Sequence, residues 1–162
     1  MPENFKDTNK PNQKFFGQVF DHLIEKLPKG LQSIHHVPPY NANYMRLRVP
    51  GLPKCMYELH FSERSKHHAE YFGYGYREVL AFYYEDIGNR TEWVDAILPY
   101  LEFISNQIGL EVVSGLWGTK WACLMINLTN EKLGANPKHY SNIFAQFIQA
   151  TYLPVSKALR RL

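Results

Sequence analysis

Two alternating segments flank a proline-glycine turn, and they constrain this chain more than any other feature. Met45, Leu47 and Val49 alternate with Tyr44, Arg46 and Arg48. After Pro50-Gly51-Leu52-Pro53, Cys55, Tyr57, Leu59 and Phe61 alternate with Met56, Glu58, His60 and Ser62. Successive residues of a strand point to opposite faces, so period-two alternation on both sides of a turn specifies an antiparallel hairpin with one apolar face. A lone hairpin is marginal in water and needs further strands or a helix to bury that face. The chain supplies both. Residues 79–84 are apolar on both faces, as in a central strand covered on both sides. Residues 111–117 and 120–128 form a second hairpin across Gly118-Thr119.

Helical periodicity fills the remaining segments. Phe16, Val19, Phe20, Leu23, Ile24 and Leu27 recur at three- and four-residue spacing, and Pro28 and Gly30 end that pattern, which predicts a helix over 13–27. A long helix over 91–108 buries Trp93, Val94, Ile97, Leu101, Ile104 and Ile108. Asn89 and Glu92 are placed to cap it as a box, Gly109 to end it, and Pro99 to kink it. Asn136-Pro137 opens a last helix over 137–162, with Tyr140, Ile143, Phe144, Phe147 and Ile148 inward and Pro154 breaking or kinking it. Residues 1–12 read as a flexible tail, 33–43 as an extended connector and 63–66 as a loop, while 67–76 is ambiguous. Hairpins joined to amphipathic helices predict an α+β fold, a mainly antiparallel sheet with helices packed on one face, built as a single domain over 13–162.

With 162 residues, of which 45% are hydrophobic, the chain can bury a sizeable core without a metal or disulfide. Cys55 and Cys123 each lie in an apolar strand-like run and read as buried free thiols. Such thiols, and the absence of a signal-like or membrane-spanning apolar stretch, point to a reducing, cytoplasmic setting without a membrane partner. The formal charge of +3 permits nucleic acid or an acidic partner without demanding either.

Four side chains form the strongest chemical constellation. Alternation puts Arg46 and Arg48 on one face of the first hairpin, and Glu58 and His60 join them if the register permits. Two cations, a carboxylate and an imidazole suit anion binding or acid-base work. A solvated face on which Glu58 neutralises one arginine is the competing reading. His35, His36, His60, His67, His68 and His139 lack the spacing of a metal site. Phe72-Gly73-Tyr74-Gly75-Tyr76 resembles the aromatic strand of an RNA-recognition motif, but lacks its basic residue and final aromatic. No nucleophile elbow, phosphate loop or dinucleotide fingerprint occurs, so no catalytic residue, metal or cofactor is assigned.

Three features carry a family resemblance: the strand Leu80-Ala81-Phe82-Tyr83-Tyr84 feeding a long helix, the hairpin from Gly109-Leu110-Glu111-Val112 to Cys123-Leu124-Met125-Ile126, and a terminal helix with Phe144, Phe147 and Leu153-Pro154. On these, residues 57–162 resemble a small α+β domain of unknown function. It forms the C-terminal part of bacterial proteins linked to nucleases or restriction systems. That family has no catalytic residues to transfer. The resemblance implies a non-catalytic interaction or accessory domain in a nucleic-acid-linked or defence system, with nucleic acid, another protein or a second copy of the chain as the partners left open. The alternative is a small enzyme or anion-binding protein that uses Arg46, Arg48, Glu58 and His60.

Overall fold

The computed structural model describes residues 9–37, 44–61, 78–131, 133–134 and 136–162. The fold is α+β. Six strands form one sheet in which every pairing is antiparallel. They are β1 (His35–His36), β2 (Tyr44–Arg48), β3 (Cys55–Phe61), β4 (Glu78–Glu85), β5 (Val113–Trp117) and β6 (Trp121–Asn127), in the order β1-β2-β3-β4-β6-β5. The two predicted hairpins are thus β2–β3 and β5–β6, and the doubly apolar segment is the central strand β4. β1 was not foreseen: it adds His35 and His36 to the edge of β2, opposite Arg48 and Leu47.

The helices are α1 (Asn9–Lys26), α2 (Arg90–Ile97), α3 (Leu101–Ile108) and α4 (Pro137–Leu159). A 3-10 turn over Leu98–Tyr100 separates α2 from α3, because Pro99 supplies no backbone donor there. Gly109 closes α3 at φ +76°, a left-handed conformation that a side chain disfavours. Three expectations about helix ends need correction. α1 starts at Asn9, so helix replaces the last residues of the predicted tail 1–12. α4 runs unbroken through Pro154, which is itself buried along with Thr151, Val155 and Ala158. Packing on the core there outweighs a cost of about 3 kcal/mol for an interior proline.

The third correction concerns the capping box, which does not form. The Asn89 side chain makes no cap bond, and Asp86 organises the turn instead. Its Oδ1 accepts from the backbone N–H groups of Gly88 and Asn89, and its Oδ2 from Lys54 Nζ and Tyr84 Oη. The Lys54 hydrogen bond, with help from the others, holds the Asp86 carboxyl down at about 2.

Alternation along β2, β3, β4 and β6 sorts their side chains onto two faces. On the first, Met45, Leu47, Tyr57, Leu59, Leu80, Phe82, Leu124 and Ile126 join the apolar residues of the helices in one core. Trp93 of α2 is fully buried in it, 5.6 Å from the Phe82 ring and 5.8 Å from the Tyr84 ring. Two polar links tie α4 to this face. Tyr140 Oη donates to the buried Glu78 carboxylate at 2.5 Å. Thr151 Oγ1 donates to the Phe147 carbonyl, which leaves the Tyr57 hydroxyl as donor in its 2.8 Å bond to Thr151. On the second face, Met56, Val79, Ala81, Tyr83, Cys123 and Met125 form a separate buried cluster.

Replacing Trp93 by Ala should cost about 3–5 kcal/mol in denaturant unfolding, the range for a buried aromatic. Its Nε1–H is buried with no hydrogen-bond partner among the described residues, so Trp93→Phe should cost clearly less than Trp93→Ala. Equal losses would assign that donor a partner.

Cys55 and Cys123 are free and 1% and 0% exposed, and burial pushes both thiols up to about 12. Native protein at pH 8 should react slowly with a thiol reagent, and two thiols should appear on denaturation. Rapid labelling of either in the native state would contradict this burial.

Candidate functional site

The antiparallel register decides which predicted residues meet. Arg46 lies opposite Glu58 and Tyr44 opposite His60 across β2–β3, while Met56 lies opposite Tyr83 across β3–β4. Glu85 lies beside Trp121, and Trp121 opposite Trp117, across β4, β6 and β5. All eight side chains other than Glu85 line one open cleft of about 140 Å³ on the face opposite the helices. Ala81, paired with Glu58 on one side and Met125 on the other, adds only a methyl group to that face.

Three of the four predicted residues, Arg46, Glu58 and His60, therefore converge in one site. Arg48 does not line it: this residue is exposed on the same strand, two positions beyond Arg46. The aromatic residues were not foreseen as part of the site. Trp117 and Trp121 were read only as part of the second hairpin, although alternation there places both on the face of Cys123 and Met125. Tyr83 was read only as part of a buried strand. Of the other histidines, His139 Nδ1 lies 3.1 Å from the Leu133 carbonyl near the start of α4, and His67 and His68 lie outside the described residues. The segment 72–76 also lies outside them. Among the described residues no group of three His, Cys, Asp or Glu side chains is placed to hold a metal.

The electrostatics of the cleft rest on one ion pair. Arg46 Nε donates to Glu58 Oε2 at 2.6 Å, with the arginine side chain 40% exposed and the glutamate side chain 5%. The guanidinium also lies over the Tyr44 ring, 4.2 Å from its centroid. Glu58 thus neutralises Arg46, the outcome that competes with a two-arginine phosphate grip. Burial pushes the Glu58 carboxyl up, and Arg46 opposes that rise. Partial burial works against the Arg46 charge, but the carboxylate's field and hydrogen bond outweigh it and hold its pKa above the ordinary value. Burial, reinforced by the Arg46 charge, holds His60 down at about 4. The imidazole is therefore neutral at pH 7. The walls are aromatic: the Tyr83 ring lies 5.7 Å from Trp117 and 6.0 Å from Trp121. Such a site offers flat apolar surfaces beside one charged donor–acceptor pair, an arrangement suited to holding a planar, polar-edged group.

Comparison with protein-family models, with curated proteins and with solved structures finds no match to this chain.

The depressed His60 pKa gives stability a defined pH dependence. Unfolded, the imidazole takes up its proton near 6.5, and folded, only near 4. Between those values the unfolded state holds more protons. Stability should therefore fall as pH drops from about 6.5 to about 4, by at most ~1.4 kcal/mol per pH unit from this group. Denaturant unfolding of the wild type and His60→Gln across that interval checks it. The variant should show the shallower slope, and identical slopes would place His60 in water.

Proposed function

We propose that this protein is a non-catalytic interaction domain, an accessory module of a nucleic-acid-linked or defence system, and that it engages its target through the aromatic cleft. The observation that carries this reading is the convergence of Arg46, Glu58 and His60 with Tyr44, Tyr83, Trp117 and Trp121 around one concave site. The resemblance of residues 57–162 to domains that accompany nucleases and restriction systems supports the accessory role.

The same side chains are poorly set for catalysis. A histidine held at about 4 is a weak general base at neutral pH. Glu58 is engaged by Arg46. Both thiols are buried and far from their reactive range. Binding, in contrast, needs only shape and positioned polar atoms, and both are present.

Indole resonances of protein labelled with ¹⁵N-tryptophan test this reading directly. Planar aromatic amides such as benzamide and nicotinamide should shift the Trp117 and Trp121 signals and leave that of the buried Trp93 unmoved. Trp121→Leu should abolish the shift at Trp117. Uniform shifts of all three signals, or none at any ligand concentration up to the solubility limit, would overturn the assignment of the cleft as the binding site.

A further inference from the structure

The cleft's two charged residues each keep bonding capacity in reserve. Glu58 Oε2 accepts from Arg46 Nε, while Glu58 Oε1 has no hydrogen-bond partner among the described residues. Glu58 is only 4% exposed, and it lines the cleft. That oxygen is a carboxylate acceptor open to the cleft and available to a ligand. Arg46 uses Nε alone, and its two Nη groups likewise meet no partner among the described residues. The pairing of Nε with Oε2 holds both side chains in place, so an unused acceptor stands beside unused donors in a fixed relation.

A complementary ligand has an N–H donor adjacent to a carbonyl on one edge of a flat ring. The aromatic walls require the flat ring. The size of the site limits what else can enter. About 140 Å³ accommodates a single ring system and leaves its substituents outside, well below the ~300 Å³ at which pockets enclose a drug-sized molecule. Outside the cleft, on the same face of β2, stands Arg48, which is exposed. A cation there suits a phosphate attached to the bound ring.

Resting on the reading of the cleft as a binding site, we infer that it takes one nucleobase bearing an imino N–H beside a carbonyl: guanine, uracil or thymine. The imino N–H donates to Glu58 Oε1, the adjacent carbonyl accepts from an Arg46 Nη, and the ring stacks among the tyrosines and tryptophans. Adenine and cytosine present a ring-nitrogen acceptor where the imino N–H is needed, and that acceptor faces the carboxylate. The base can come from a free nucleotide or from a single strand, and the chemistry at the cleft is the same for both.

Titration of the four ribonucleoside 5′-monophosphates, followed by the Trp117 and Trp121 indole signals with Trp93 as internal reference, tests the inference. Guanosine and uridine monophosphates should bind at least tenfold more tightly than those of adenosine and cytidine. Glu58→Gln, which keeps the size of the side chain, should erase that discrimination. Arg46→Lys, which keeps the ion pair but loses the planar fork, should weaken the preferred bases at least fivefold. Circular dichroism of both variants establishes that they fold, and Arg46→Lys stands as the test if Glu58→Gln does not. A hexameric oligouridylate separates the sources. Binding at least tenfold tighter than the monophosphate, with the gain lost in Arg48→Ala, assigns a base within a strand, and equal affinity assigns a free nucleotide. Equal binding of all four bases overturns the inference. So does a response to benzamide or nicotinamide without one to any nucleotide, and that result leaves the cleft standing as a site for another planar ligand. Silence with every probe overturns both readings.

Discussion

Seven consecutive residues of β4, Glu78 to Tyr84, are buried; all seven pair with β3 on one side, and Val79 to Tyr84 pair with β6 on the other. That register is the constraint on which the rest of the molecule depends. Leu80, Phe82 and Tyr84 face the helices, and Val79, Ala81 and Tyr83 face the opposite side. A slip of one residue would exchange the two sets. Trp93 would lose Phe82, Tyr140 would lose the Glu78 carboxylate, and the cleft would lose Tyr83. The Tyr140–Glu78 and Tyr57–Thr151 bonds oppose such a slip, because either donor stranded in the apolar core would cost on the order of 1–3 kcal/mol.

The cleft lies on the second face of that rigid frame. Glu58 is a buried carboxylate paired with a partly exposed arginine, and burying a carboxylate in an ion pair rarely adds stability over apolar residues of similar volume. The second face already has an apolar cluster of Met56, Val79, Ala81, Cys123 and Met125 into which a further aliphatic pair would fit. A salt bridge at this position is therefore weakly motivated by folding alone. The incomplete use of its atoms sharpens the point. Among the described residues the pair is joined through Arg46 Nε and Glu58 Oε2, which leaves the other carboxylate oxygen and the guanidinium Nη groups open to the cleft.

Much of this architecture was legible in the sequence, and the parts that were not share a cause. Period-two alternation gave the β2–β3 hairpin and placed Arg46 and Glu58 on one face, because a strand's side-chain period leaves no freedom in that choice. Pro99 gave the break between α2 and α3, because a missing donor acts locally. What escaped depends on contacts between distant segments. Asn89 reads as a cap by position, but Asp86 captures the turn through Lys54, 32 residues away. Pro154 reads as breaking or kinking its helix, and the helix continues through it because burial of that turn offsets the local cost. Trp117 and Trp121 read as part of a hairpin, and only the pairing of β6 with β4 brings them to Tyr83. A tryptophan at both ends of a tight turn, on the face shared with Cys123, was the available signal.

The placement of the cleft over the sheet, rather than in a loop, sets how it would bind the proposed ligand. Each of its lining residues sits within a paired strand, and the Arg46–Glu58 bond and the Tyr44 contact hold the guanidinium in place before any ligand arrives. Immobilising a side chain on association costs about 0.5–1.5 kcal/mol, and a site already ordered by folding avoids most of that loss. The corollary is limited adaptability. Strand-borne rings cannot close over a larger ligand as a loop can, so selectivity must come from the edge of a ring that fits rather than from enclosure. This is the physical reason to look for discrimination among bases of similar shape, at Glu58 and Arg46, instead of affinity for large molecules.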